Sequence, residues 1–161
     1  GEAIVNSYRR RNINAKSARL CLAFGPGVKK DDQRVLNEFI KKGLIQKKIV
    51  INGGGKNIRA YIYISDAIKM LLNILFFGKK NVYNVGGSEK ISILKLAKIV
   101  AEELNVPFKY KENKNTNHDA PNYVQIDINK YKNEFKKINF IKFKKGLQKT
   151  IGWYKQILKK G

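Results

Sequence analysis

The sequence predicts an α/β fold with parallel strand pairing, on three observations. Short runs rich in β-branched and aromatic residues alternate with amphipathic stretches. Glycine-bearing turns lie between them, and the alternation continues through both halves of the chain without an internal repeat.

Each element follows from its own residues. "GEAIVNSYRRR" has helical composition but no N-cap, capping box or staple before it, so the chain is expected to open inside a helix whose start lies upstream. "SARLCLAF" reads as one short buried strand that ends at the turn "GPG". "DDQRVLNEFIKKG" places acids in a first turn, gathers Val35, Leu36, Phe39 and Ile40 on one face, and stops at Gly43. "KKIVI" and "AYIYI" read as strands around the turn "NGGGKN". Ser65 or Asp66 is the expected cap of the helix "AIKMLLNILFFG", which Gly78 ends.

"NVYNVGG" is then a strand, and Ser92 caps "ILKLAKIVAEEL", whose Leu94, Leu96, Ala97, Val100, Ala101 and Leu104 form a stripe. "VPFKYK" is a short strand and "ENKNTNHDAPN" a polar loop. Asp127 caps a short helix "INKYKNEF", and a last helix runs through "KKGLQKTIGWYKQILKK", with Trp153 and Tyr154 anchoring it on the core. Two strands are expected to be buried on both faces, Arg19 to Ala23 and Val82 to Val85. Two strands cannot make a doubly wound sheet, so residues 1–161 are expected to form a single but incomplete unit.

Composition narrows the function. With 161 residues and 43% hydrophobic content the chain has the size and core of one globular domain. One cysteine excludes an internal disulfide framework and fits a reducing, cytoplasmic setting; Cys21 and His118 alone do not make a zinc site, so no metal is expected. The most apolar run, "MLLNILFF", is far shorter than the ~20 residues that span a bilayer, so no membrane partner is expected. Lys and Arg number 34 against 12 Asp and Glu, for a formal charge of +22. The excess is mostly lysine spread along the chain, as in a lysine-rich proteome; a partner or substrate that is itself anionic is the functional alternative. The triple glycine at 53–55 with Lys56 lacks the G-x-x-x-x-G-K-[ST] spacing of a phosphate loop, and a strand rather than a helix follows it, so Arg59 is the better phosphate ligand.

The succession "GEAIVNSYRRR", "ARLCLAFGPGVKKDDQRVLNEFI", "GGGKNIRAYIYISDA", "VYNVGGSEKISILKLAKIVAEEL" and "APNYVQIDINKYKNEF…GLQKTIGWYK" resembles the extended short-chain dehydrogenases that act on sugar nucleotides. These are the NAD-dependent epimerases, 4,6-dehydratases and UDP-glucuronate decarboxylases, and the resemblance runs in order through nearly the whole chain. The run Arg59-Ala60-Tyr61-Ile62-Tyr63-Ile64-Ser65-Asp66 is its most specific part. The resemblance implies the C-terminal portion of a Rossmann-type fold: the last strands of the parallel sheet plus a small substrate-binding α/β subdomain, with the N-terminal part missing.

It also implies where chemistry sits. The catalytic Tyr-x-x-x-Lys is expected upstream of Gly1, as is the glycine-rich NAD fingerprint, so no catalytic residue is assigned here and the chain alone is expected to be inactive. In the complete enzyme a tyrosinate takes a sugar hydroxyl proton while hydride passes to NAD⁺, and the resulting ketone permits elimination, epimerisation or decarboxylation. Arg59 matches the arginine that similar enzymes place on the substrate diphosphate. Arg34, Leu36, Asn37 and Phe39 match the helix start around the nucleotide, although an amphipathic helix packing its apolar face explains Leu36 and Phe39 equally well. Asn52 and Gly53 match a backbone approach to the base, or a simple turn.

Cys21 and Leu22 match the strand that reaches the nicotinamide, with a core cysteine as the other reading of Cys21; at Leu22 many relatives carry Asn, which contacts the substrate phosphate. Asp119 matches an acid that grips the ribose, but Thr116 stands where an arginine is expected, with Lys114 as a substitute or the whole stretch a solvated loop. The expected partners are a nucleotide-sugar substrate and, for the complete protein, a second copy in a homodimer. "DDQRVLNEFI" leans toward the decarboxylases, which are lyases, and the 4,6-dehydratases. The rival from another class is a basic nucleic-acid-binding domain, but Arg9–Arg11 is the only arginine cluster and carries no recognition motif.

Overall fold

The computed structural model describes residues 1–29, 31–53, 55–111, 123–124, 126–136 and 139–159. In chain order the elements are α1 (Glu2–Arg10), β1 (Ser17–Leu20), β2 (Leu22–Phe24), α2 (Val35–Ile45), β3 (Ile49–Asn52), β4 (Ile58–Tyr63), α3 (Ile64–Phe77), β5 (Val82–Val85), β6 (Lys90–Ser92), α4 (Ile93–Leu104), β7 (Phe108–Lys111), β8 (Tyr123–Val124), α5 (Asn129–Phe135) and α6 (Phe143–Lys159).

Strand β4 organises the molecule. Its second half pairs in parallel with β2, Leu22 opposite Tyr61 and Phe24 opposite Tyr63. Its first half pairs antiparallel with β6 and in parallel with β8. Successive side chains of a strand leave on opposite faces. Tyr61 and Tyr63 accordingly join one apolar cluster with Leu36, Ile40, Leu96, Val100 and Leu147, while Ile62 joins a second with Met70, Ile74, Tyr83 and Val85. A strand packed on both faces has no reason to alternate polar and apolar residues, and "AYIYI" does not.

Two further parallel pairs flank this sheet: β1 with β5, and β3 with β7. The run "SARLCLAF" is therefore two strands. Its first half pairs with β5, Cys21 N–H donates to Val85 C=O at 2.9 Å, and from Leu22 onward the chain changes partner to β4.

Four further expectations need correction. Strand β1 is not buried on both faces: Ala18, Arg19 and Leu20 are exposed, because among the described residues β5 is its one strand partner. Burial of a parallel strand comes from what flanks it, which its own residues do not record. Asp31 and Asp32 precede α2 rather than forming its first turn, and Gly43 lies inside that helix. A Cβ at Gly43 would meet Leu104 Cδ1 at 2.4 Å, so this glycine permits the close approach of α2 and α4. Neither Ser65 nor Asp66 caps α3, which starts at Ile64 without a side-chain cap. The Asp66 carboxylate instead accepts from the Ile141 N–H at 2.8 Å, fixing the segment that enters α6.

Other local readings match. Ser92 Oγ accepts from Lys95 N–H at 3.2 Å at the start of α4, and Asp127 Oδ1 accepts from Asn129 N–H at 2.8 Å at the start of α5. Helix α6 closes the larger cluster with Phe143, Leu147, Ile151 and Tyr154. Glu103 of α4 holds it from outside, paired with Lys144 at 3.1 Å and accepting from Gln148 at 2.9 Å.

Candidate functional site

The largest group of sequence-expected residues converges on one cavity of about 600 Å³ between α2, β3 and β4. That volume is in the range of small-molecule sites, roughly 300–1,000 Å³. Leu22 and the start of α2 form one side, with Arg34, Leu36, Asn37 and Phe39; Asn52 and Gly53 at the end of β3 form another, and Arg59 rises from β4. These residues lie far apart in sequence, and β4 and α2 bring them together.

Arg34 is a fixed cation. Its Nε donates to both Asp32 oxygens, at 3.1 and 2.9 Å, its Nη2 stands 2.8 Å from Oδ2, and its Nη1 donates to Ala23 C=O at 3.0 Å. The Arg34 guanidinium, with Asn37 Nδ2 and the Arg34 N–H also donating, holds the Asp32 carboxyl well below the usual carboxylate range, and Asp32 in turn raises Arg34. Asn37 is thereby accounted for: it is buried and braces Asp32 from 2.9 Å. Leu36 and Phe39 satisfy both of their readings, since they belong to the larger core cluster and also line the cavity.

Arg59 is half-buried on β4, and its Nη1 donates to Ile58 C=O at 2.9 Å. Gly53 has φ +69°, a left-handed conformation that glycine adopts without a Cβ penalty, and its N–H donates to Lys111 C=O at 2.9 Å. The glycine turn itself is committed to structure. Gly55 C=O accepts from Leu94 N–H and Asn57 C=O from Ile93 N–H, both at 2.9 Å. Together with the Ser92 cap these occupy the first amides of α4, the groups an anion would need there. Lys56 is exposed on this turn.

Two expected residues stand apart. Cys21 is half-buried beside Gly86 and does not line the cavity; burial pushes its thiol up, so the thiol is neutral. Asp119 lies outside the described residues, as do Lys114, Thr116 and His118. Among the described residues no cluster of His, Cys, Asp and Glu is placed to hold a metal ion, and no helix is long and apolar enough to cross a membrane.

The structure adds lining residues that the sequence reading missed, among them Tyr61, Asn57 and Val50, with the Glu38–Lys42 pair one turn apart on α2. Periodicity held the signal. Tyr61 is two residues from Arg59 on a strand, and Val35, Glu38, Phe39 and Lys42 share a helical face with Leu36 beside them.

Known proteins share the fold. The model of the NAD dependent epimerase/dehydratase family matches residues 1–86. UDP-glucuronic acid decarboxylase 4 of Arabidopsis thaliana is 29% identical over 132 residues, which are 81% of this chain and 30% of that protein. The chain spans about a third of the length of the curated relatives it matches. Among solved structures, the GDP-L-fucose synthetase of Naegleria fowleri bound to NADP superimposes with a TM-score of 0.86 at 18% identity, covering 98% of this chain and 54% of that one. The dTDP-glucose 4,6-dehydratase of Bacillus anthracis in complex with NAD gives 0.81 at 22% identity, covering 96% and 49%. The fold is thus that of Rossmann-type epimerases and dehydratases, and the matched residues carry α1 through β5 including the Arg59 strand: the chain belongs to the NAD dependent epimerase/dehydratase family.

Proposed function

We propose that this chain is the substrate-binding part of an NAD-dependent enzyme that epimerises, dehydrates or decarboxylates a nucleotide sugar, and that the cavity between α2, β3 and β4 holds the nucleoside diphosphate. The observation that carries the reading is the pairing of two guanidinium groups, Arg34 and Arg59, with apolar lining from Leu36, Phe39, Val50 and Ile51 in one cavity. A planar fork suits diphosphate oxygens, and an apolar slot suits a base. The 29% identical decarboxylase favours the lyase branch. A basic nucleic-acid-binding domain has no support in these relatives.

NAD supplies, when bound, the hydride acceptor and donor at the sugar carbon. The residues of this chain that fit it lie at the C-terminal ends of the parallel strands β1 and β5, the usual ligand edge of such sheets, where Cys21 and Leu22 follow β1. No G-x-G-x-x-G occurs in the 161 residues, so the cofactor's pyrophosphate rests on residues beyond them in this reading. The chain alone therefore binds NAD weakly and performs no turnover. A cytoplasmic homodimer of the complete protein, through a surface that includes α1, belongs to the same reading; Ile4 and Tyr8 of α1 are exposed.

Calorimetric titration of a nucleoside diphosphate sugar into the chain tests it. Arg59→Ala removes charge-assisted hydrogen bonds each worth about 1.5–3 kcal/mol, so affinity falls about ten- to a hundredfold or more. Lys56→Ala changes little, because an exposed turn lysine contributes little. Loss at Lys56 with none at Arg59 would contradict the assignment and restore the glycine turn as the phosphate site.

A further inference from the structure

Leu22 and Tyr61 stand directly opposite each other in the parallel β2–β4 pair, and both line the cavity. Leu22 brings only hydrocarbon to that wall. Tyr61 brings a hydroxyl, and the charges of both Arg59 and Arg34 reach it. Arg59 lies two residues earlier on the same strand and hence on the same face.

The ring is held rigidly. It stands edge-on to Phe24, with centroids 6.1 Å apart and planes at 87°, and its centroid is 5.6 Å from that of Phe143. The residue is only 6% exposed, yet its hydroxyl forms no hydrogen bond with the described residues. Packing alone would be served as well by phenylalanine, and the hydroxyl is not sealed by protein, so it stays open to a partner from the cavity that Tyr61 lines. Burial pushes the phenol up to about 12, so the O–H proton stays in place at neutral pH and is available to donate.

We propose that Tyr61 is a further substrate-binding residue: its O–H donates to a diphosphate oxygen of the nucleoside diphosphate sugar, between the two guanidinium groups, on the wall where Leu22 offers no polar group. The inference rests on the reading of the cavity as a nucleotide-sugar site. An anion is the fitting acceptor because both neighbouring charges are positive, and an O–H donor to an ionised oxygen makes one of the stronger hydrogen bonds.

The test uses Tyr61→Phe, which keeps the packed ring, and titrates a nucleoside diphosphate sugar and the corresponding free nucleoside into both proteins, with a thermal melt as the check on folding. The expected result is a loss of about ten- to a hundredfold for the diphosphate ligand with the nucleoside unchanged. A second variant adds an amide across the strand pair: Leu22→Asn in the Tyr61→Phe background recovers part of the diphosphate affinity. Equal diphosphate affinity in wild type and Tyr61→Phe overturns the Tyr61 assignment and leaves the site reading intact. An equal loss for the nucleoside also overturns it, since the ring rather than the hydroxyl would then matter. Wild-type protein that binds no nucleoside diphosphate sugar overturns the site reading itself.

Discussion

The two faces of β4 carry cores of different completeness. On one face Tyr61 and Tyr63 meet α2, α4 and α6, and Ile40, Leu96, Val100 and Leu147 are fully enclosed. On the other, Ile62 meets the inner side of α3 with Tyr83, Val85 and Tyr131, but the outer side of α3 leaves Leu72, Leu75, Phe76 and Phe77 in solvent at 47%, 61%, 68% and 69% exposure. Strand β1 next to it exposes Leu20, and α1 has no buried residue. The cavity proposed for the substrate is thus built by a closed half of the molecule, whereas the sheet half presents a strand edge and an apolar helix face. A contiguous apolar face of that kind is the surface on which further strands and helices pack, which in the proposed reading are those of the cofactor-binding part.

The largest effect expected from this comparison is on the closed side. Leu147→Ala, at a side chain with no exposure, removes buried volume that α2, α4 and α6 cannot refill, and is expected to cost about 2–5 kcal/mol in denaturant unfolding. A cost under 1 kcal/mol would mean that the closed half is loosely packed and the contrast between the faces is false.

A smaller effect separates the acid limb of stability. The Asp32 carboxyl is held below its usual value chiefly by the Arg34 guanidinium, so its contribution is present above the unfolded carboxylate value near pH ~4 and is lost as pH falls below it. Asp32→Asn should therefore be less stable than wild type at neutral pH, with the gap narrowing below about pH 4. It should also weaken nucleotide-sugar binding by releasing Arg34 from its fixed position. A gap that stays constant from pH 7 to pH 3 would show that the ion pair does not act as the geometry says.

The smallest effect belongs to the open face. Leu75→Ser should change stability by no more than about 0.5 kcal/mol, because the side chain is already in water, while lowering binding of a hydrophobic dye. A cost comparable to that of Leu147→Ala would mean that Leu75 is covered in solution.

Local chemistry was legible in the sequence and long-range pairing was not. The extents of α4 and β5, the Ser92 cap and the core role of Tyr154 follow from stripe, alternation and cap residues within a few positions of each other. Arg59 was recognisable from its run, and Tyr61 lay two residues away on the same strand face. The partner change at Cys21 was not visible, since one apolar run looks the same whether it pairs with one strand or two. Gly43 and Asp66 were misread for a related reason: both look like helix-end residues, and what they meet, Leu104 and the Ile141 N–H, stands far away in sequence. The three-residue strand β6 carries too short a pattern to announce itself.

The central claim is that the closed half holds the nucleotide sugar and the open half does not. Amide hydrogen exchange of the chain with and without a saturating nucleoside diphosphate sugar tests it most directly. The account predicts slower exchange on ligand binding at residues 35–39, 50–53 and 59–61, with α1, β1 and the outer turns of α3 unchanged. Protection that appears instead on α1, β1 and α3, with the α2–β3–β4 cavity unaffected, would contradict it.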